Sequence, residues 1–329
     1  MTIDQKQSEL LPQDDVGRRR VPLAGLAREY AVLILSALLF LYLSFAADHF
    51  LTVVNLRNVA SQSAILGIMA CAATLLIVAG NFDLSVGAVF AASGIVTVLV
   101  VENYSVILGV AAGMLTGMVL GLLNGVIVTK LGVNSFIATL ASSLVMGGVI
   151  LVVTGGENTN TTNISFITLS ARQFLGLDLM TWVFIGWALL LSYVLGRSIY
   201  GRYMYAAGGN ALAAELSGVS VTGIRMATFV ISGLGAAIAG ILSASQSGSV
   251  PVTAGSNLVL ISIAAVVVGG TSIWGGDGAV WRTVVGVVFL SLIDNGFNLL
   301  DLDPLYGNVV YGSIILIAAA IDAQARRSR

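Results

Sequence analysis

Residues 79–94 read AGNFDLSVGAVFAASG, and the fold turns on how this stretch interrupts its surroundings. Residues 59–79 before it and 84–101 around and after it are predominantly apolar, each close to the roughly 20 residues that a spanning helix needs. Between them stand Gly80, Asn81, Asp83 and Ser85. A charge near the hydrocarbon zone costs about 2.5–3.5 kcal/mol on insertion scales, so Asp83 is expected to face a bundle interior or an aqueous cavity. Gly80 and Gly87 permit the helix to break, and broken backbone at membrane depth is tolerated only where protein or water satisfies it. The stretch therefore reads as a break between an inbound and an outbound membrane helix.

Working outward, the same reading gives ten apolar runs: 30–47, 59–79, 84–101, 105–128, 133–154, 179–196, 226–244, 257–270, 279–299 and 306–322. Basic residues near span ends are retained in the cytoplasm, and they test this count. With the N-terminus inside, Lys6, Arg18, Arg19, Arg20, Arg28, Lys130, Arg197, Arg202, Arg225, Arg282, Arg326, Arg327 and Arg329 all fall inside. Only Arg57 and Arg172 fall outside. Deleting one span inverts everything beyond it and destroys the asymmetry. The expected fold class is an all-α polytopic membrane protein of about ten transmembrane helices with both termini cytoplasmic, some helices being broken by glycine-rich segments. Composition agrees: 57% hydrophobic, 9% charged and mean hydropathy +0.97, against about 25% charged for a soluble domain. The 38 glycines and four prolines suit closely packed membrane helices. A net charge of −1 gives no basis for nucleic-acid binding.

Residues 1–29, polar and acidic and then basic at Arg18–Arg20, resemble a disordered cytoplasmic tail more than a signal peptide, since the next apolar run is long and no small-residue cleavage site is evident. The membrane domain spans 30–322 and a basic cytoplasmic tail 323–329. A lone Cys71 in mid-span excludes an internal disulfide or a cysteine metal cluster and reads as a small core residue. The lone His49 reads as interfacial. The longest polar stretches are an outside loop, 155–178, and an inside segment, 197–225. The outside loop opens GGENTNTTNISFITL (155–169), which is turn and loop chemistry. Its formal glycosylation sequons at Asn160 and Asn163 read as chance matches, and its polarity suits contact with an extracellular partner or closure over a pore.

The inside segment contains GRYMYAAGGNALAAELSGVSVTGIR, residues 201–225. Asn210 is placed as an N-cap whose side chain accepts from first-turn amides. Residues 211–217 supply two helical turns, and Gly218 is placed to end them as C′. Leu212 and Leu216, four apart, share a face, while Gly209, Ala213 and Ala214 leave the surroundings small. Such a stub fits a groove on another protein, or equally a capped helix packed on its own bundle. A second break, VGGTSIWGGDGAV (268–280), echoes the first with Asp277 as its acid, and LLNGVIV (122–128) echoes IDNGFNL (293–299). The echoes suggest an internal duplication with equivalent breaks, as transporters use around a central pathway.

Absences narrow the function. No phosphate-binding GxxxxGK[ST] occurs, and Lys130 in IVTKLGV follows no such loop. Ion-coupled carriers show acidic or histidine relays within spans, for which only Asp83 and Asp294 are candidates. No HExxH or GxSxG set supports an intramembrane enzyme. A stand-alone channel or facilitator for a small polar solute, or a receptor-like scaffold, stays open, but a channel leaves the docking stub unexplained. The balance favours a subunit whose energy comes from a partner.

GNFDLSVGA, VNSFIATL (133–140), GRYMYAAGGNALAAELSG, AAVVVGGTSIWGGDG (264–278) and DNGFNLL (294–300) occur in that order. Together they resemble the permease subunits of ribose/xylose/arabinose-type ABC sugar importers, over about residues 50–322. The resemblance implies a multi-pass permease of the bacterial cytoplasmic (inner) membrane that is not itself an enzyme. It implies partners: a cytoplasmic ATPase with two fused nucleotide-binding domains, a periplasmic sugar-binding protein, and a second permease chain, identical or similar. ATP and Mg are then bound by the ATPase, with no cofactor in this chain. Alternating access would carry a monosaccharide or related polar carbohydrate. Gly201, Tyr205, Gly208, Gly209, Asn210, Leu212, Ala213, Ala214, Leu216 and Gly218 carry over as the ATPase-coupling segment. Asn81, Asp83 and Ser85 carry over as pathway candidates, joined by Asn124, Thr139, Asn295 and Asn298. The bland alternative for those amides and hydroxyls is interhelical bonding, averaging about 0.6 kcal/mol each in membranes. The chain departs from the family after TAG (253–255), where Val259 and Ile261 flank Leu260 in place of two acids, and at Gln246 in place of a base. Apolar replacement of a compensated ion network is often neutral or stabilising.

Overall fold

The computed structural model describes residues 23–303 and 305–327, with the side chains of 23–29, 305, 308, 318–319 and 321–327 outside that description. The helices in chain order are α1 (Leu23–Ala46), α2 (Val53–Val78), α3 (Val86–Asn103), α4 (Val106–Lys130), α5 (Ser135–Thr154), α6 (Ile164–Ile167), α7 (Leu179–Arg197), α8 (Ile199–Gly209), α9 (Ala211–Leu216), α10 (Val221–Ser247), α11 (Ser256–Val268), α12 (Val280–Leu299) and α13 (Leu305–Arg327). Four two-residue strands join them: β1 (Thr159–Asn160), β2 (Gln173–Phe174), β3 (Leu177–Asp178) and β4 (Ser249–Val250). The chain is thus an all-α polytopic membrane protein, as its sequence implies. Among the described residues, seven helices (α2, α3, α4, α5, α7, α10 and α12) are long and apolar enough to cross a bilayer.

The other three expected spans fall on α1, α11 and α13, and the first two carry shorter apolar stretches, Tyr30–Ala46 and Ser256–Val268. At about 1.5 Å per residue, the 13 residues of α11 fall short of a hydrocarbon core of about 30 Å, because Gly269 and Gly270 stop the helix. Two boundaries expected from sequence move. Residues 23–29, assigned to the tail, are helical, as LAGLARE contains good helix formers; residues 1–22 lie outside the described residues. The basic tail from 323 likewise continues α13 as far as Arg327. The inside segment 197–225 is not a loop with one stub: Ser198 caps α8 by accepting from Gly201 N, and Ser220 caps α10 by accepting from Gly223 N. Helix α10 therefore starts five residues before the expected span.

Helix α2 is the central post, with 89% of its apolar window buried, whereas α5 is buried over only 17% and lies at the periphery. Helix α10 packs beside it, and α3 and α4 pack in turn on α10 and on each other through small residues. Gly109, Gly113, Gly117, Gly121 and Gly125 recur every fourth residue on α4 and put the whole row on one face. An added Cβ at Gly117 or Gly121 would overlap the backbone carbonyls of Gly233 or Phe229 on α10, so the two helices meet backbone to backbone.

The connections gather at two ends. At one, β1 pairs antiparallel with β4, Thr159 facing Val250. Glu102 accepts hydrogen bonds from the Thr161 hydroxyl and from Thr162 N, the latter at 2.8 Å, and Ser61 donates to Asp178 at 2.7 Å. The 155–178 segment, expected as turn and loop, is therefore laced down, with α6 capped by Asn163 and a β2–β3 hairpin. At the opposite end meet the 79–85 break, α8, α9, the 269–279 break and the start of α10. The segments that the alternating threading assigns to one side are the ones that touch.

Candidate functional site

The 79–85 break is held by side chains from three other helices. Asp83 is buried; its Oδ1 accepts from Ser85 N at 2.9 Å and from the Ser85 hydroxyl at 2.5 Å. The bond to Ser85 N, two residues on, is an Asx turn that steers the chain into α3. The second carboxylate oxygen accepts from Ser232 of α10 at 2.9 Å. Ser85 Oγ in turn accepts from Asn124 Nδ2 of α4 at 2.7 Å. The first two turns of α5 supply acceptors for the break's own amides: Thr139 Oγ1 takes Leu84 N at 2.9 Å, and Ser135 Oγ takes Phe82 N at 3.2 Å. The broken backbone is thus satisfied by protein, as burial demands.

Asp83, Ser85, Asn124 and Thr139, four of the pathway candidates, therefore converge. Asn81 is buried nearby but bonds only back to Ala79 O, at 3.3 Å. Asn295 lies elsewhere, in a reciprocal amide pair with Asn55 at 3.0 and 2.7 Å, and Asn298 is exposed. Ser232, Ser135 and Asn55 were missed from sequence; Ser232 and Ser135 are polar residues in largely apolar helices, which was the available signal, whereas Asn55 stands beside Arg57 and Asn58 ahead of the expected span and gave none. Asn124 also keeps one buried oxygen, Oδ1, without a partner. It lines a cavity of about 680 Å³ between α4 and α5, and a second of about 400 Å³ separates α5 from α3 and the start of α11. Val259, standing where the resembled family carries an acid, packs its Cγ2 against Gly87, and Leu260 and Gln246 are exposed.

The 201–218 segment packs onto both breaks. Helix α9 has the expected cap, Asn210 Oδ1 accepting from Ala213 N at 3.0 Å. It ends with Gly218 at φ +83° and the paired bonds Gly218 N to Glu215 O and Val219 N to Ala214 O, the Schellman arrangement. Leu212 and Leu216 are 68% and 82% exposed, and Ala213 is exposed beside them. Ala214, expected on the docking face, is instead buried, because its position on the short helix turns it toward the bundle. Gly201 and Tyr205 also face inward. The Tyr205 hydroxyl donates to Gly278 O at 2.6 Å, and burial pushes this phenol above its usual range, so it remains a donor.

Gly208 sits where an added Cβ would overlap Val78 O, the last carbonyl of α2. That carbonyl accepts from Gly276 N at 2.9 Å. An added Cβ at Gly276 would lie 2.7 Å from Gly209 Cα, and one at Gly275 3.0 Å from Gly80 Cα. Gly80, Gly275 and Gly276 all have φ between 74° and 82°, a region that side chains disfavour. The first break, the end of α8 and the second break thus form one junction of bare backbone. The second break is further held by the Arg282–Asp277 ion pair, 2.9 Å. The echo between LLNGVIV and IDNGFNL does not hold by element: Asn124 lies two helices after its break and Asn295 in the helix that follows directly. Among the described residues, no three His, Cys, Asp or Glu side chains gather as metal ligands.

Residues 55–319 match the family model described as branched-chain amino acid transport system / permease component. The chain is 34% identical over 304 residues to the L-arabinose transport system permease protein AraH of Escherichia coli, covering 92% of each chain. It is 36% identical to the ribose import permease protein RbsC of Escherichia coli, covering 93% of this chain and 97% of that one. Against the ribose import permease protein RbsC of Bacillus subtilis it is also 36% identical, with 93% and 96% covered. No solved structure matches the chain. This multi-pass membrane protein therefore belongs to the branched-chain amino acid transport system / permease component family, among relatives that are permeases of sugar transport systems.

Proposed function

We propose that the chain is the membrane subunit of an ATP-driven importer, passing a monosaccharide or related polar carbohydrate across the bacterial cytoplasmic membrane by alternating access. Ten spans with both termini inside, a periplasmic binding protein at the β1–β4 end, and a second permease chain complete the arrangement. ATP and Mg are bound by a separate ATPase, with two fused nucleotide-binding domains, which docks on α9. The observation that carries this reading is the junction: a capped helix with two bare leucines is joined by Gly208 and Gly209 to both breaks. Movement of α9 is then delivered to α2, α3 and α12 with no flexible side chain between. Asp83, Ser85, Asn124 and Thr139 sit where that movement arrives, and the names of the sugar-transporting relatives supply the substrate class.

Mild-detergent purification of the tagged chain, with co-purifying proteins identified by mass spectrometry, tests it. Recovery of a tandem ATPase with the wild type, lost in the double variant Leu212→Ser, Leu216→Ser, is expected. A chain that purifies alone and intact, yet moves sugar in proteoliposomes, is a stand-alone facilitator and overturns the reading.

A further inference from the structure

Below the docking helix lies a cavity of about 400 Å³ that no step above uses. Its walls come from the first break, the α4–α5 connection, α9 and α10, and its surface is predominantly polar. Arg225 reaches into it half-buried. Its one hydrogen bond, from Nε to Ala79 O, is long at 3.4 Å, and among the described residues no carboxylate lies within ion-pairing distance. A guanidinium carries five donors, and those of Arg225 that make no hydrogen bond are not fully buried, so they are accessible from the cavity. Asn81, Asn134, Thr129 and Thr222 add amides and hydroxyls, and Glu215 stands on the rim. The Asn134 carbonyl oxygen is engaged with Phe136 N at 3.0 Å, which leaves its amide donors for the cavity.

One cation and one anion cancel, so no net field selects an anion. Donors and acceptors are mixed, which matches hydroxyls that both donate and accept. The volume lies within the roughly 300–1,000 Å³ of small-molecule sites. No aromatic ring lines the cavity, so a sugar finds hydrogen bonds but no stacking face. That combination gives weak binding, suited to sensing accumulated product and not to capture.

We infer that this cavity is a cytoplasm-facing site for a neutral monosaccharide, through which imported sugar restrains the coupling helix. A sugar bridging Glu215, Asn81 and Arg225 ties α9 to the first break and to α10, opposing the movement that drives transport. The inference rests on the importer reading given above.

The test is saturation-transfer NMR on the full chain in lipid nanodiscs, with L-arabinose and D-ribose as probes and inorganic phosphate as competitor. Sugar signal from the wild type, reduced at least fivefold in both Arg225→Met and the surface variant Thr222→Val, is the expected result. Thr222 is exposed in the first turn of α10, so its replacement leaves folding intact should Arg225→Met fail to fold. Signal unchanged in Thr222→Val places the sugar elsewhere and overturns the inference, as does displacement of the sugar by phosphate. In cells, wild-type uptake is expected to fall severalfold when the cytoplasm is preloaded with the sugar. Uptake indifferent to preloading, or no signal with uptake intact, defeats the site and leaves the importer reading standing; absence of any sugar uptake defeats that reading itself.

Discussion

Asp83 illustrates how one residue decides whether a break at membrane depth is affordable to the fold. Its carboxylate collects Ser85 N, the Ser85 hydroxyl and the Ser232 hydroxyl, and a buried charge so bonded is retained where a bare one would be expelled. In Asp83→Ala two buried hydroxyls lose their acceptor, each costing about 1–3 kcal/mol. That variant is expected to unfold at a clearly lower temperature in detergent, while Ser232→Ala, which leaves the second carboxylate oxygen without its donor, is expected to cost about 1.5–3 kcal/mol. Equal thermal stability of Asp83→Ala and the wild type would show that the network does not hold the break. Asp83→Asn is a finer probe, because the amide still accepts from Ser85 N and can donate to Ser232. A folded Asp83→Asn protein with defective uptake would place the charge in the pathway.

At the scale of elements, what was legible in the sequence was local. Asn210, Gly218 and the two leucines announced α9 because a cap and a C′ glycine act within one or two turns. The breaks announced themselves because glycine and a charge interrupt an apolar run. What was not legible was tertiary. That Ala214 turns inward, that Asn295 pairs with Asn55, and that Ser232 reaches Asp83 depend on helix rotations that no local pattern states. The early start of α10 was hidden because Ser220 competes with Asn210 and Ser217 as a capping residue in a run of small polar positions. The Gly208–Val78 contact gives the sharpest test at this scale. A methyl there must push α8 off α2, so Gly208→Ala is expected to reduce uptake at least tenfold. Gly209→Ala, whose added Cβ meets nothing within 4 Å, is expected to be nearly silent beyond a propensity change. Tyr205→Phe removes one hydrogen bond worth about 1 kcal/mol and is expected to fall between them. Equal uptake in the Gly208 and Gly209 variants would remove the junction from the coupling route.

At the scale of the whole molecule, the distribution of 15 basic residues and the two-ended gathering of the connections are independent statements about the same threading. One follows from the cost of carrying cations across the bilayer, the other from which segments touch. Their agreement makes sidedness testable with single cysteines, and the chain offers a quiet background, since its lone Cys71 is buried. Leu131, 71% exposed between α4 and α5, and Leu212 on α9 lie at the end assigned to the cytoplasm. Tyr104, 76% exposed between α3 and α4, and Ile164, 74% exposed in α6, lie at the other. In intact cells a membrane-impermeant thiol reagent is expected to modify Tyr104→Cys and Ile164→Cys only. In inverted vesicles it is expected to modify Leu131→Cys and Leu212→Cys only. The pair Tyr104 and Leu131 is the most incisive, because a single helix, α4, separates them. If both react from one side, α4 does not cross the membrane. The parity of every later span then changes, and α9 is carried to the face away from ATP.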